Sequence, residues 1–114
     1  MRINLTQHTA TTEQGCQEPG NKSAVQALLT IDEIPTNAEL TRRANALALI
    51  ALEAGANEAM IGGAPFFMPV LERALSAAGI APVYAFSRRE AVDGPDGKKV
   101  SVFRHIGFVP AGGI

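Results

Sequence analysis

Two adjacent arginines, Arg88 and Arg89, follow an apolar run at residues 82–86. The run predicts a buried strand, and the abrupt change to polar residues at Ser87 predicts a surface crevice at its end. In an open α/β sheet, ligands bind outside the carboxyl ends of the strands. Paired guanidinium groups suit a planar anion such as phosphate. The alternative is a solvated strand end whose arginines pair with acidic neighbours such as Glu90, and these residues leave both interpretations open.

Polar residues and glycines also follow two other predicted strands. Thr6, Gln7 and His8 come after the alternating segment at residues 3–5, and Gly62 and Gly63 come after the apolar segment at 59–61. Adjacent glycines before a helix permit close approach of a ligand, and the helix N-terminus attracts anions. Imidazole suits proton transfer near neutral pH, although a lone histidine is more often a structural hydrogen-bonding group. We expect the three strand ends to meet at one edge of the sheet.

A second histidine, His105, lies beside Arg104 in an alternating segment, where a hydrogen-bonded sheet histidine is the favoured alternative to a catalytic one. The two histidines are far apart in sequence and lack metal-ligand spacing, so neither a metal site nor a cofactor is predicted. Histidine, arginine, hydroxyl and backbone N–H groups suffice for metal-independent cleavage of RNA through its own 2′-hydroxyl. In that chemistry His8 transfers a proton, and Arg88 or Arg89 stabilises the charge on phosphorus.

The pattern of elements predicts an α/β protein with a small three-layer fold. A short parallel sheet of three βα-type strands is extended by a C-terminal antiparallel β-hairpin, with its turn at residues 93–97. Capping boxes predict helices that begin near Ser23 and Thr36, and Pro65 is expected in the first turn of a third helix. Residues 9–22 are predicted to form a loop. We expect a single domain over residues 1–110 and a flexible tail at 111–114.

The composition limits the classes of partner. The chain has 114 residues and a formal net charge of −1, which argues against long nucleic acid but allows a small anion at one focused site. Cys16 is the only cysteine, so an intrachain disulfide and a thiolate zinc cluster are excluded. Since no apolar leader or membrane-spanning segment is visible, a cytoplasmic protein without membrane association is expected.

Four segments together resemble a known family: Asn-Leu-Thr-Gln-His at 4–8, Ile-Gly-Gly-Ala-Pro at 61–65, Val-Tyr-Ala-Phe-Ser-Arg-Arg-Glu at 83–90 and Val-Phe-Arg-His-Ile-Gly-Phe-Val at 102–109. The chain is similar to the small type III CRISPR-associated ring nucleases, including variants carried by phages and plasmids. The resemblance covers most of the chain outside residues 9–35.

The resemblance implies a homodimer that cleaves cyclic oligoadenylates to linear products with a 2′,3′-cyclic phosphate. It implies catalytic roles for His8, Arg88, Arg89 and His105. Ligand-binding roles for Ser87 and Arg104 are implied by the resemblance, and those for Thr6, Gln7, Gly62 and Gly63 are expected from their place at the strand ends. Two alternatives remain: a protein that sequesters the same messenger without cleaving it, and an interaction protein of a mobile element without a nucleotide ligand.

Overall fold

The computed structural model describes residues 1–112 as a four-stranded sheet with three α-helices. The strands are β1 (Arg2–Leu5), β2 (Glu58–Ile61), β3 (Ala81–Asp93) and β4 (Lys99–Pro110), and the helices are α1 (Lys22–Leu29), α2 (Asn37–Glu53) and α3 (Met68–Ala77). The strand order is β1-β2-β3-β4; the first three strands are parallel, and β4 is antiparallel to β3. The predicted fold class is therefore confirmed.

Different parts of the chain pack on the two faces of the sheet. Ile3, Leu5 and Ile61 point into the apolar core formed with the three helices, and we call this side the helix face. Asn4 and Met60 are buried on the opposite side, which we call the loop face. Residues 9–20 cover the loop face; they contain a short 3-10 turn and pair with the outer edge of β1. The residues predicted to form a loop therefore make up a layer of the fold.

The helix starts follow from local hydrogen bonds. The predicted cap of α2 is confirmed, because Thr36 Oγ1 accepts a hydrogen bond from the Glu39 N–H at 3.1 Å. The predicted capping box at Ser23 is wrong. Asn21 caps α1 instead, by accepting from the Ala24 N–H at 3.1 Å, which leaves the Gln26 side chain free to bind the loop after β1. Pro65, expected in the first turn of the third helix, lies before α3, which begins at Met68. Pro69 lies in the first turn instead, where no backbone donor is needed.

Helices α1 and α2 are joined by one arginine. The Arg43 guanidinium donates to the carbonyl oxygens of Ala27, Leu28 and Thr30 at the end of α1, and also to the Glu39 carboxylate. Hydrogen bonds from Arg42 and then Arg43 lower the pKa of Glu39 to about 2. The ionised carboxylate is therefore retained throughout the pH range in which most proteins are folded.

The β3–β4 hairpin extends well past the parallel sheet. β3 pairs with β2 over residues 81–83 and then continues with β4 to Asp93, so the expected strand end at Phe86 is wrong. We call residues 84–109 the arm. The molecule measures 53 × 32 × 29 Å, and the long dimension is consistent with this projecting hairpin. A strand can continue past its parallel neighbour when an antiparallel partner completes its hydrogen bonds.

A β-bulge in the arm changes which side chains share a face. Phe86 pairs with Gly107 and Ser87 pairs with His105, so Ile106 is an extra residue in β4. Simple alternation places His105 and Phe108 on opposite faces. The extra residue puts them on the same face, with ring centroids 4.9 Å apart.

The end of the chain is described only in part. The Ala111 N–H donates to the Pro82 carbonyl oxygen at 3.0 Å, which holds the first residue of the predicted tail against β3. Gly113 and Ile114 lie outside the described residues. None of the helices in the described part of the chain is long and apolar enough to cross a membrane.

Candidate functional site

A groove of about 550 Å³ lies at the carboxyl ends of β1 and β2, beside the base of the arm. Its lining residues are Thr6, Gln7, His8, Thr9, Thr11, Gln14, Met60, Ile61, Gly62, Gly63, Tyr84 and Ala85. Two of the three strand ends predicted to meet do so here: a Cβ built on Gly62 would lie 3.9 Å from the Thr6 methyl group. The groove thus combines an exposed imidazole with two glycines that allow close approach of a ligand.

The remaining predicted site residues lie on the arm, outside the groove lining. These are Ser87, Arg88, Arg89, Arg104 and His105. Ala85 lines the groove, and the following arginine positions lie three and four residues further along β3, roughly 10–13 Å away at the rise of a β-strand. The strand end that was expected to bring them to the sheet edge does not exist, because β3 continues into the arm.

The two adjacent arginines differ in their contacts. Arg88 forms an ion pair with Glu90 at 3.3 Å, and Arg104 binds the other oxygen of the same carboxylate at 2.8 Å. The interpretation in which an arginine pairs with Glu90 is therefore correct for Arg88. Arg89 lies on the loop face instead, with its guanidinium carbon 5.2 Å from the centroid of the Phe103 ring. Since adjacent residues of a strand point to opposite sides, only one of the two continues the surface that Ala85 begins.

His105 also lies on the loop face of the arm, where its ring packs edge-on against Phe108. Its Nδ1 atom is buried and has no hydrogen-bond partner among the described residues. The favoured interpretation was a hydrogen-bonded sheet histidine. It agrees with the position of His105 in a strand, but not with the lack of a partner for Nδ1 among the described residues. The Arg2 guanidinium lies 3.7 Å from the centroid of the Phe108 ring, so the base of the arm carries a compact group of aromatic and cationic side chains.

Asn4 of β1, whose side chain is fully buried, holds the loop that contains His8. Asn4 Oδ1 accepts from the Thr6 N–H at 3.0 Å and from Thr6 Oγ1 at 2.7 Å. Asn4 Nδ2 donates to the His8 carbonyl oxygen at 2.7 Å and to the Glu18 carboxylate at 3.0 Å. One buried amide therefore fixes both ends of the Thr6–His8 turn.

Lys22 and Glu18 complete this hydrogen-bond network. Lys22 Nζ donates to the carbonyl oxygens of Thr6 and His8, each at 2.8 Å, and pairs with Glu18 at 3.2 Å. Burial tends to raise the pKa of Glu18, but hydrogen bonds from the Ala10 N–H, Asn4 and Lys22 outweigh it and lower that pKa. Because the turn directs its carbonyl groups inward, the His8 imidazole is left exposed at the groove.

Gln7 and Tyr84 both line the groove and form hydrogen bonds outside it. The Gln7 side chain donates to Thr30 Oγ1 at 3.2 Å, and the Gln7 backbone carbonyl oxygen accepts from the Gln26 side chain at 3.1 Å, so Gln7 connects the groove to α1. Tyr84 donates its hydroxyl proton to Glu72 at 2.6 Å. Burial, with help from Glu72, raises the pKa of Tyr84 further above its ordinary value. The Tyr84 hydroxyl is thus neutral and unsuited to act as a base.

Gly63 has a backbone conformation that other residues adopt only under strain, with φ of 153°. We expect Gly63→Ala to lower the free energy of unfolding by about 1–3 kcal/mol, the usual cost of such a backbone conformation. Gly62→Ala is the matched control, because its new methyl group meets Thr6 at an ordinary contact distance of 3.9 Å. Urea unfolding of both variants measures the difference. Equal losses would contradict the selection of glycine at position 63 by its backbone conformation.

Other parts of the surface are less suited to an anion. A second groove of about 680 Å³ is lined mainly by apolar side chains, including Phe66, but Asp32 and Glu33 also line it and would repel phosphate. Within residues 1–112, no group of three His, Cys, Asp or Glu side chains is placed to hold a metal ion. Burial raises the pKa of Cys16, whose sulfur lies 3.9 Å from that of Met60 beneath the covering loop.

Comparison with known proteins gives a family for almost the whole chain. The model of the uncharacterized protein MJ1673 family matches residues 1–109. The chain belongs to this family. The match includes both the groove and the arm, so the MJ1673 family extends over every residue of the candidate site. No match was found among the curated proteins or among the solved structures.

Sequence reasoning missed the residues that position the site. Asn4, Glu18 and Lys22 were not predicted to act on the His8 turn. A signal for Asn4 exists in hindsight: it is an amide between two apolar residues, two positions before a threonine, which favours a local side-chain turn. No comparable pattern marks Glu18 or Lys22, since their roles depend on how residues 9–20 fold over the sheet.

Proposed function

We propose that the protein is a metal-independent ring nuclease that cleaves cyclic oligoadenylates at the groove. The observation that carries the proposal is that the exposed His8, whose backbone carbonyl oxygen is held by a buried network, lines the same groove as Gly62 and Gly63. Glycine allows a phosphate to approach the backbone, and the adjacent imidazole can transfer a proton to or from it. The resemblance to ring nucleases supplies the identity of the phosphate ester.

The reaction uses groups of the substrate itself. The ribose 2′-hydroxyl attacks the adjacent phosphorus, the bond to the 5′-oxygen of the next nucleotide breaks, and that oxygen takes up a proton. His8 accepts the 2′-hydroxyl proton or protonates the departing oxygen. Arg89, which reaches the same side of the arm as Ala85, adds positive charge next to the phosphodiester chain. The products are a linear oligoadenylate with a 2′,3′-cyclic phosphate at one end and a free 5′-hydroxyl at the other.

A cleavage assay tests this proposal. Cyclic tetra- and hexa-adenylate are incubated with excess protein and EDTA, and the products are separated by chromatography. We expect linear oligoadenylates that carry a 2′,3′-cyclic phosphate. Rings that stay intact after long incubation both with and without EDTA would rule out the nuclease, and cleavage seen only without EDTA would rule out its metal independence.

A specific observation favours the alternative of sequestration without rapid cleavage. The arginines lie on the arm, so within one copy His8 is the one predicted catalytic side chain among the described lining residues of the groove. A protein that only sequesters the messenger leaves the ring intact, but its melting temperature rises when the ring is added. If neither cleavage nor a thermal shift is seen with any ring size, an interaction protein of a mobile element becomes the better interpretation.

We propose that the arm also forms a homodimer. Its helix face exposes Phe86, Val100, Val102 and Val109, and its charged residues there are already paired through Glu90. A two-stranded hairpin is at best marginally stable in water unless a further surface covers it. A second copy offers a self-complementary apolar surface of the same kind.

Sedimentation velocity tests the dimer. The unmodified protein is expected to sediment as a dimer at micromolar concentrations, and Val102→Asp as a monomer. Leu49→Asp is the control, because Leu49 is an exposed apolar residue on α2, away from the arm. A monomer for the unmodified chain, or dissociation of both variants alike, would contradict assembly through this face.

A further inference from the structure

The loop face of the arm displays an aromatic ring that the fold does not use. Phe103 is 70 % exposed, the most exposed phenylalanine of the described residues, and Arg89 lies over it at 5.2 Å. Such a ring contributes little apolar burial to folding. We call Phe103 and Arg89 the stacking pair.

The stacking pair and the groove share one continuous surface. Ala85 lines the groove and pairs with Phe108 across the arm, and Ser87 and Arg89 follow on the same side of β3. Ala85 and Arg89 are four residues apart, roughly 13 Å at the rise of a β-strand. Several linked nucleotides can therefore place a phosphate in the groove and a base at the arm.

We propose that the stacking pair is a subsite for an adenine base of the oligoadenylate. A base stacks on an exposed aromatic ring through its π face, and a guanidinium beside the ring adds a cation–π contact or binds the adjoining phosphate. The helix face of the arm lacks this combination, since its arginines are occupied by Glu90. The identity of the ligand rests on the proposed function, whereas the position of the subsite rests on Phe103 and Arg89.

The absence of tryptophan from the sequence allows a direct test. Phe103→Trp introduces a single fluorescent indole at the subsite while keeping an aromatic surface. Linear tetra-adenylate is titrated in, with inorganic phosphate as the probe that lacks a base. We expect quenching by tetra-adenylate and none by phosphate. Phe66→Trp is the matched control: Phe66 is 54 % exposed but lies in the groove that contains Asp32 and Glu33. Equal quenching of both variants, or of neither, would overturn the subsite.

A second pair of variants does not depend on fluorescence. Phe103→Leu is expected to weaken binding of linear tetra-adenylate roughly 5- to 150-fold by calorimetry, the range for loss of one base-stacking contact. Phe103→Tyr is expected to restore it. Because Phe103 is largely exposed, both variants should melt as the unmodified protein does. Unchanged affinity in Phe103→Leu would contradict the subsite.

Failure of the subsite can be distinguished from failure of the nuclease. If the ring is cleaved but Phe103→Trp is not quenched, the subsite is wrong and the proposed reaction stands. If tetra-adenylate quenches Phe103→Trp but the ring is never cleaved, the subsite stands and the protein sequesters the messenger. If a protein partner covers Phe103 instead, tetra-adenylate has no effect on the indole, and the subsite is again wrong.

Discussion

Replacing His8 with alanine is expected to lower the rate of ring cleavage by about 10²- to 10⁴-fold, the usual contribution of a positioned acid or base. The affinity for the ring should change only slightly, because a group that transfers a proton during the reaction stabilises mainly the transition state. The fold should survive as well, since the turn is held through the His8 carbonyl oxygen, which alanine retains. Single-turnover cleavage gives the rate, and calorimetry gives the affinity.

His105→Ala is the informative comparison for this experiment. Its ring packs on Phe108 at the base of the arm and does not line the groove, so we expect a much smaller loss of rate than in His8→Ala. Equal and large losses would indicate that both histidines act, one as the base and one as the acid. A His8→Ala variant that cleaves at the unmodified rate would remove His8 from the mechanism.

The fold could be predicted from sequence because its signals are local. Apolar runs and alternating segments predicted the strands, and the capping-box pattern of Thr36 and Glu39 predicted the start of α2. The bulge could not be predicted in the same way. The pattern of residues 100–109 does not give the position of an extra residue, because a register shift depends on the partner strand as much as on the strand itself. That shift brings His105 and Phe108 together.

The candidate site was predictable only in part. Thr6–His8 and Gly62–Gly63 meet because the carboxyl ends of adjacent parallel strands must lie at one edge of the sheet. The predicted position of the arginines was wrong because the length of β3 depends on its pairing with β4 and not on the polarity of Ser87. Asn4 was predicted only as part of an alternating strand, and its burial was not predicted. The segment that buries it, residues 9–20, has no periodic pattern from which its packing could be inferred.

The second large effect is expected from Asn4→Asp. This change replaces the donor Nδ2 with an oxygen, in a side chain with no solvent exposure, 3.0 Å from the Glu18 carboxylate and 2.7 Å from the His8 carbonyl oxygen. At neutral pH the variant therefore has either two carboxylates side by side or one buried charge without a partner. We expect the free energy of unfolding to fall by about 3–5 kcal/mol, the range for an uncompensated buried charge. Urea unfolding followed by circular dichroism measures it.

The pH dependence of this variant should run opposite to that of the unmodified protein. The lowered pKa of Glu18 means that its contribution to stability is present above the ordinary glutamate range and is lost as the pH falls through the lowered pKa. In Asn4→Asp, repulsion raises one pKa of the carboxylate pair, so the folded state binds a proton more tightly than the unfolded chain does. Stability is then retained at low pH and lost as the pH rises through that raised pKa.

Asn45→Asp separates this effect from the mere addition of a charge, because Asn45 is exposed on α2. It is expected to change stability by less than about 0.5 kcal/mol, as surface substitutions usually do. If Asn4→Asp is no less stable than Asn45→Asp, or is equally stable at pH 5 and pH 8, the buried amide does not hold the His8 turn. If Asn4→Asp is destabilised as expected but still cleaves the ring at the unmodified rate, the turn is needed for folding, and the geometry of the groove is set by other residues.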